Sequence, residues 1–374
     1  MNNPNRFAFL VHPLSFEDVT RKFGLARYLP EKWINRLLAQ LPPFKLSEIT
    51  GIESAYGRTN GNFVGVMLTS RQMVELPENY VLKRIIEAGR KAEKLGARIV
   101  GLGAFTSVVG DAGVTVARNL RIAVTTGNSL TAATAIAGTR QAAEAMNLDL
   151  KKARVVVVGA TGSIGTAVSR ILAKEVRQLV LVARDESRLE EAAQAVRRLY
   201  GESVSVDYSN NLAGAVRLAD VVLATSSSAE ALIQPEHLKP GAIVCDIARP
   251  RDTSERVAKE RDDVLVFDGG VLEVPGKVDF GLDFGFPPGL TYACMAETMV
   301  LALEQRFENY SLGREYQPEK IVEIYELAMK HGFKLAALRF NERVLKPEQY
   351  QRIRENARKK IGGKASYRPA ATLS

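Results

Sequence analysis

Two cysteines, three histidines and one glycine-spaced loop are the residues of this sequence with the clearest capacity for chemistry. Cys294 follows the break Pro287-Pro288-Gly289-Leu290-Thr291-Tyr292-Ala293, where a helix begins. A thiol in the first turn of a helix has its thiolate stabilised by free N–H groups and by the positive end of the helix dipole. It can act as a nucleophile, or it can pack in a core beside Ala293, Met295 and Met299. Cys245 sits inside an apolar run and reads as a small buried hydrophobe. His12, His237 and His331 are far apart and form no ligand cluster with the cysteines, so no metal site is expected. His331, in Lys330-His331-Gly332-Phe333, reads as a helix C-terminus.

The glycine loop is Gly159-Ala160-Thr161-Gly162-Ser163-Ile164-Gly165. It follows the β-branched run 154–158 and precedes Ile164, Ala167, Val168, Ile171 and Leu172 at helical spacing. A strand, a glycine turn and a helix in that order form a dinucleotide site: the backbone approaches the pyrophosphate, and the helix N-terminus supplies N–H donors. Gly159, Thr161, Gly162, Ser163, Ile164 and Gly165, together with Ser226 just past the strand at 221–224, are the cofactor-binding candidates. The G-x-x-G-x-x-G spacing is a variant common among NADP-linked reductases. At the end of the second strand, where an acidic residue would select NAD, the sequence reads Ala183-Arg184-Asp185, with Arg188 one turn on. Arg184 suits a 2′-phosphate, so NADPH is the expected cofactor; Asp185 could instead face a ribose hydroxyl. A second polar cluster, Thr125-Thr126-Gly127-Asn128-Ser129, follows a strand. Thr125, Thr126, Asn128 and Ser129 could donate hydrogen bonds to a nicotinamide or a carbonyl oxygen, or Asn128 or Ser129 could cap the following helix.

These residues need a framework of strands and helices. Strand patterns at 154–158, 179–182, 221–224, 242–246 and 264–267, separated by helical or loop segments such as 186–199, describe a Rossmann-type, doubly wound parallel sheet. The fold class is thus α/β, with a smaller N-terminal α/β substrate domain. In that domain, helical patterns cover 16–23, 31–39 and 80–95, and strand patterns cover 62–68, 99–103 and 121–124. The expected organisation is an N-terminal domain over 1–130, a connecting helix over 131–150 and the nucleotide domain over 151–285. C-terminal helices over 286–338 carry Cys294 and are expected to pack back at the domain cleft. A basic tail covers 339–374.

The chain has 374 residues, 46% of them hydrophobic and 25% charged, which are ordinary globular values. Ten Lys or Arg against three Glu place +7 of the formal +9 in residues 339–374. Such a tail could be a solvated, partly helical segment, or it could meet an acidic protein or an anionic membrane surface peripherally. Its sparse aromatics and the lack of a recognisable module argue against nucleic acid. No apolar run approaches the ~20 residues of a membrane span, and no signal peptide is evident. With only two cysteines, a reducing cytoplasm is the expected compartment.

Over residues 7–338 the chain resembles the cyanobacterial long-chain acyl-[acyl-carrier-protein] reductases. The shared peptides, in order, are Phe9-Leu10-Val11-His12, Leu102-Gly103-Ala104-Phe105-Thr106-Ser107 and Thr125-Thr126-Gly127-Asn128. The loop Gly159 to Gly165, Val182-Ala183-Arg184, Gly269-Gly270, Ala293-Cys294-Met295-Ala296-Glu297 and Lys330-His331-Gly332-Phe333 follow. The resemblance implies that Cys294 takes the acyl group from an acyl-carrier protein or acyl-CoA as an enzyme thioester. NADPH then reduces it to a fatty aldehyde, which a partner enzyme could consume. Phe63-Val64-Gly65-Val66-Met67-Leu68 could wall a tunnel for the chain, or be an ordinary core strand. Two features depart from the family: Asp246-Ile247-Ala248-Arg249-Pro250-Arg251 replaces a Gly-Gly-Tyr-Pro-type segment, and the tail runs past the usual end. The fold also resembles shikimate-type dehydrogenases, but their Asn-x-Thr-x-Pro-x-Lys segment is missing. In glutamyl-tRNA reductase the nucleophile precedes the nucleotide domain. An NADP-binding sensor without turnover is the remaining class.

Overall fold

A computed structural model of the chain describes residues 6–13, 30–228, 230–283, 287–314, 316–340 and 343–365. The helix expected over 16–23 and the last residues of the basic tail lie outside these. The chain divides into two compact units, Met1–Thr134 with Gly270–Ala336, and Ala135–Gly269 with Ala337–Ser374.

In the first unit, β1 (Arg6–Val11), β2 (Phe44–Ser54), β3 (Gly57–Gly65), β4 (Ile99–Leu102) and β5 (Ala123–Thr125) form a mixed sheet in the order β2-β3-β1-β4-β5. The strand Gly276–Asp279 joins antiparallel at the β2 edge. β1 runs parallel to both neighbours and is apolar on both faces, as a central strand must be. Phe63 packs on one face of the sheet with Phe9 and Phe280, and Val64, Val66 and Leu68 pack on the other. The helix Ala293–Leu303 lies on the Phe63 face, against β1, β3 and β4, and packs against the helix Pro318–Lys330. It is buried along its length except at Cys294, which is partly exposed.

The second unit holds β6 (Arg154–Val158), β7 (Gln178–Val182), β8 (Ser205–Ser209), β9 (Val221–Ala224), β10 (Ile243–Asp246) and β11 (Leu265–Asp268). All pairings are parallel, in the order β11-β10-β9-β6-β7-β8. This is the doubly wound order, and its direction reverses between β6 and β9. A crevice opens at such a switch point, beyond the carboxyl ends of the strands, and ligands bind there.

Several boundaries differ from those read in the sequence. The helix placed at 131–150 runs Asn128–Ala145, and the division between units falls inside it. Residues 270–285, assigned to the nucleotide domain, belong to the first unit, as do the two helices that follow. The cause is long-range strand pairing. Val271–Glu273 pairs antiparallel with Leu290–Tyr292 and with Lys334–Leu335, and the strand Gly276–Asp279 pairs with β2. Such short strands owe their existence to partners distant in sequence, so no local periodicity announces them.

Candidate active site

The nucleotide cradle is built where β6 ends. Gly159 adopts φ +78°, and a Cβ there would lie 2.8 Å from the Ser226 Cα and N. The loops after β6 and β9 therefore close on each other with no room for a side chain. Gly162 is the N-cap of the helix Ser163–Leu172 and offers no side-chain cap. A Cβ on Gly165 would lie 2.3 Å from the Gly159 carbonyl oxygen, so this position lets the helix start pack tightly on the turn. These are the three tasks the fingerprint glycines perform: the tight turn, the close approach of backbone to phosphate, and the helix contact. A dinucleotide pyrophosphate fits the cradle.

Asp185 caps the helix Glu186–Tyr200, accepting from the Arg188 backbone N–H at 3.1 Å, and is engaged in that role. The Arg188 guanidinium donates to the Thr161 carbonyl at 3.2 Å and so ties the second loop to the first. Arg184 is exposed, and makes no hydrogen bond or ion pair among the described residues.

Ser226 is fixed by a buried carboxylate that the sequence did not single out. Its backbone N–H donates to Asp252 Oδ2 at 2.9 Å and its hydroxyl to Asp252 Oδ1 at 2.5 Å. Burial pushes the Asp252 carboxyl up to about 6, with the Asp246 charge adding to the rise and the bonds from Ser226 opposing it. The unfolded value is about 3.9. Between about pH 4 and 6 the folded state thus holds a proton that the unfolded state has released. This contribution is complete below pH 4 and is lost as the pH rises through 6. An Asp252→Asn variant should therefore gain stability relative to the parent across that window, by roughly 2–3 kcal/mol. Paired denaturant titrations at pH 4, 5, 6 and 7 measure this; a constant difference would contradict it.

The unusual segment after β10 is an ion-pair array. Asp246 accepts from the backbone of Thr253 at 2.7 Å and of Ala248 at 3.1 Å, and burial raises its carboxyl. Arg249 and Arg251 both pair with buried Asp268, at 3.2 and 2.9 Å. Cys245 is fully buried, and desolvation drives its thiol far above the ordinary range, which makes it inert.

The first unit gathers the other candidates around Cys294. Gly127 has φ +72°, and a Cβ on it would lie 2.2 Å from the Cys294 Cα and 2.5 Å from its Cβ. The loop that follows β5 thus rests its backbone directly on the first turn of the thiol's helix. Glu297, one turn after Cys294 and fully buried, binds the same loop. Its carboxylate accepts from the Thr125 hydroxyl and, at 2.8 Å, from the Leu130 backbone N–H. Burial raises its carboxyl despite those bonds. Thr126 donates to the Ser311 carbonyl, Asn128 donates to the Tyr316 hydroxyl at 3.1 Å, and Ser129 accepts from the Ser311 hydroxyl at 2.7 Å. Neither Asn128 nor Ser129 caps the helix: the Gly127 carbonyl accepts its first bond, from the Thr131 N–H at 3.1 Å.

Glu297, Asp252, Ser311 and Tyr316 escaped the sequence reading. Glu297 had a signal, being the lone charge in Ala293–Leu303, since an isolated carboxylate in an apolar helix must find buried donors. The histidines serve local structure. His12 accepts from the Phe105 N–H, and His237 accepts from the Gln234 N–H. His331 lies between Ser54 and Glu304 at 2.8 and 2.7 Å.

Strand order, glycine cradle and switch point define the class: this chain is an enzyme, a nicotinamide-nucleotide-dependent oxidoreductase. Residues 140–268, nearly the whole of the second unit before the tail, match the family model of shikimate / quinate 5-dehydrogenase. Over 350 residues the chain is 32% identical to the aminotransferase PigE of Serratia sp., covering 88% of this chain and only 39% of that protein. Over 354 residues it is 29% identical to the long-chain acyl-[acyl-carrier-protein] reductase of Synechococcus elongatus, covering 89% of this chain and 99% of that one. Among solved structures, L-tryptophan dehydrogenase from Nostoc punctiforme is 14% identical, over 95% of this chain and 88% of that one, at a TM-score of 0.39. Among the described residues no helix is long and apolar enough to cross a membrane.

Proposed function

We propose that the protein reduces a long-chain fatty acyl thioester to a fatty aldehyde through an acyl group carried on Cys294. The observation that carries this reading is the fit of the Gly127 backbone against Cys294 in the first turn of its helix, with Glu297 of that helix holding the same loop. The similarity to the Synechococcus reductase, which spans nearly the whole of that protein, supports it. The dehydrogenase family match covers only residues of the second unit and says nothing of a substrate.

The Cys294 thiolate attacks the thioester carbonyl carbon. The tetrahedral oxyanion collapses with loss of the carrier's thiolate, which takes a proton, and leaves the acyl group on Cys294. Bound NADPH supplies the hydride that converts this acyl group to aldehyde. Expulsion of the aldehyde restores the Cys294 thiolate. The Ala293 N–H is taken by the Gly270 carbonyl at 2.8 Å, so it is the positive N-terminal end of the helix Ala293–Leu303, beside Cys294, that favours the developing oxyanion. Thr125, Thr126, Asn128 and Ser129 have their polar groups engaged within the unit, and their part is to hold the turn in place. An apolar cluster that includes Phe9, Phe63 and Met295 packs against Cys294 and offers the acyl chain a dry neighbour.

Intact-protein mass spectrometry after mixing with palmitoyl thioester, without NADPH, tests the reading. One palmitoyl group should appear and map to Cys294; an unmodified protein after prolonged incubation would refute it. The choice of NADPH rests on exposed Arg184 as partner of the 2′-phosphate. Arg184→Ala should weaken NADPH by roughly 10–100-fold and NADH by less than about threefold, as fluorescence titration reads it. Equal losses would remove the assignment.

A further inference from the structure

We infer that the C-terminal helix Pro347–Ala365 is a docking surface for an acidic carrier protein that presents the acyl thioester. This inference rests on the proposed function and names the carrier that delivers the substrate of that reaction.

The helix has one face committed to the second unit. Ala357 is buried, Arg354 donates to the Ala145 carbonyl at 2.5 Å, and Asn356 donates to Asp262 at 3.0 Å. Lys360 pairs with Asp262 at 2.8 Å and with Asp263 at 3.0 Å. The helix is therefore a fixed platform. Its other cations point away from these contacts. Arg352, Arg358 and Lys359 are exposed, as are Arg343 and Lys346 just before them. Among the described residues none of these five has a carboxylate at ion-pair distance, although Glu348 and Glu355 stand on the same helix. Five exposed cations without an ion-pair partner among the described residues, three on the helix and two just before it, create a positive field that steers an anionic partner.

The chemistry of the surface selects the partner. A membrane-binding helix needs a continuous apolar face, whereas here Ile361 is the one strongly exposed apolar side chain on the described part of the helix. A single-strand nucleic-acid surface interleaves aromatics for stacking, and the helix's only aromatic, Tyr350, donates its hydroxyl to the Leu345 carbonyl. Carrier proteins of fatty-acid synthesis are strongly acidic and match an exposed row of cations.

The test is a triple variant, Arg352→Glu, Arg358→Glu and Lys359→Glu, whose side chains are all exposed. With palmitoyl-carrier protein in low salt, the variant's KM should rise about tenfold or more, and the gap should shrink in about 0.5 M NaCl. With palmitoyl-CoA its KM should stay within about twofold, and its melting temperature and NADPH affinity should match the parent's. An unchanged KM for the carrier protein, or equal effects on both substrates, overturns the surface assignment. Loss of binding to phosphatidylglycerol vesicles with an unchanged carrier-protein KM would assign the helix to a membrane and also overturn it. Fluorescence anisotropy of labelled carrier protein against parent and triple variant reads docking without turnover. Normal docking with no adduct on Cys294 would sink the proposed reaction and leave the surface standing.

Discussion

Replacing Cys294 by Ala should abolish acyl-enzyme formation and lower aldehyde production by at least roughly a thousandfold, the scale of loss seen when a covalent nucleophile is removed. NADPH binding should survive, because the cradle formed by Gly159, Gly162 and Gly165 lies in the second unit and Cys294 in the first. Folding should survive too. Cys294 is only partly buried, and loss of one sulfur atom there removes little packing from the helix Ala293–Leu303. Cys294→Ser is the sharper control. A hydroxyl in the same place is a far weaker nucleophile at neutral pH and a poorer leaving group, so any slow acylation should stall as an ester. Mass spectrometry and NADPH consumption distinguish the outcomes. A Cys294→Ala protein that still acquires one acyl group would relocate the nucleophile; one that consumes NADPH at the parental rate would remove covalent catalysis.

The second large effect is expected at Gly127. Alanine there meets two costs. The left-handed backbone, φ +72°, is unfavourable for any residue with a Cβ, by about 1–2 kcal/mol. The added carbon would also sit 2.2 Å from the Cys294 Cα and 2.6 Å from its carbonyl oxygen, atoms of a helix backbone that cannot rotate aside. The turn and the helix must separate by about an ångström, which pulls Thr125 and Leu130 away from the buried Glu297 carboxylate. A Gly127→Ala protein should lose about 3 kcal/mol or more of stability and roughly a hundredfold in the rate of Cys294 acylation. Thermal melts and single-turnover acylation followed by mass spectrometry measure the two separately. Parental values in both would show that the turn does not position the thiol.

Much of the second unit was legible in the sequence because its strands are short β-branched runs buried on both faces. Such runs need no distant information to be recognised: Arg154–Val158 and Val221–Ala224 were bounded correctly, and the glycine loop was read with its strand and helix in place. The edge strand Ser205–Ser209, with exposed Ser205 and Asp207, carries no comparable signal and went unread. The first unit was harder. Phe44–Ser54 alternates imperfectly because two irregularities break its pairing with Gly57–Gly65, so period-two counting fails along it. The segment Pro287 to Ala293 reads in sequence as a break before a helix, but within it Leu290–Tyr292 forms a strand paired with Val271–Glu273.

The polar residues divide along the same line. The types and spacing of Gly159, Gly162 and Gly165 mark a nucleotide loop from sequence alone, because phosphate recognition there uses backbone N–H groups whose geometry the local chain fixes. Cys294 could also be proposed locally, from its place in a first helical turn. The meaning of its surroundings could not. Thr125 and Glu297 lie 172 positions apart, Thr126 and Ser311 185 apart, and Ser226 and Asp252 26 apart. Hydroxyls that read as candidate donors to a substrate prove to be engaged by partners that only the fold brings within reach. Buried polar groups must be satisfied, and which partner satisfies them depends on packing across the sheet. Sequence thus singled out Cys294 and the Thr125–Ser129 turn as groups capable of chemistry, and tertiary structure decided that the turn rests its backbone on the first turn of the thiol's helix.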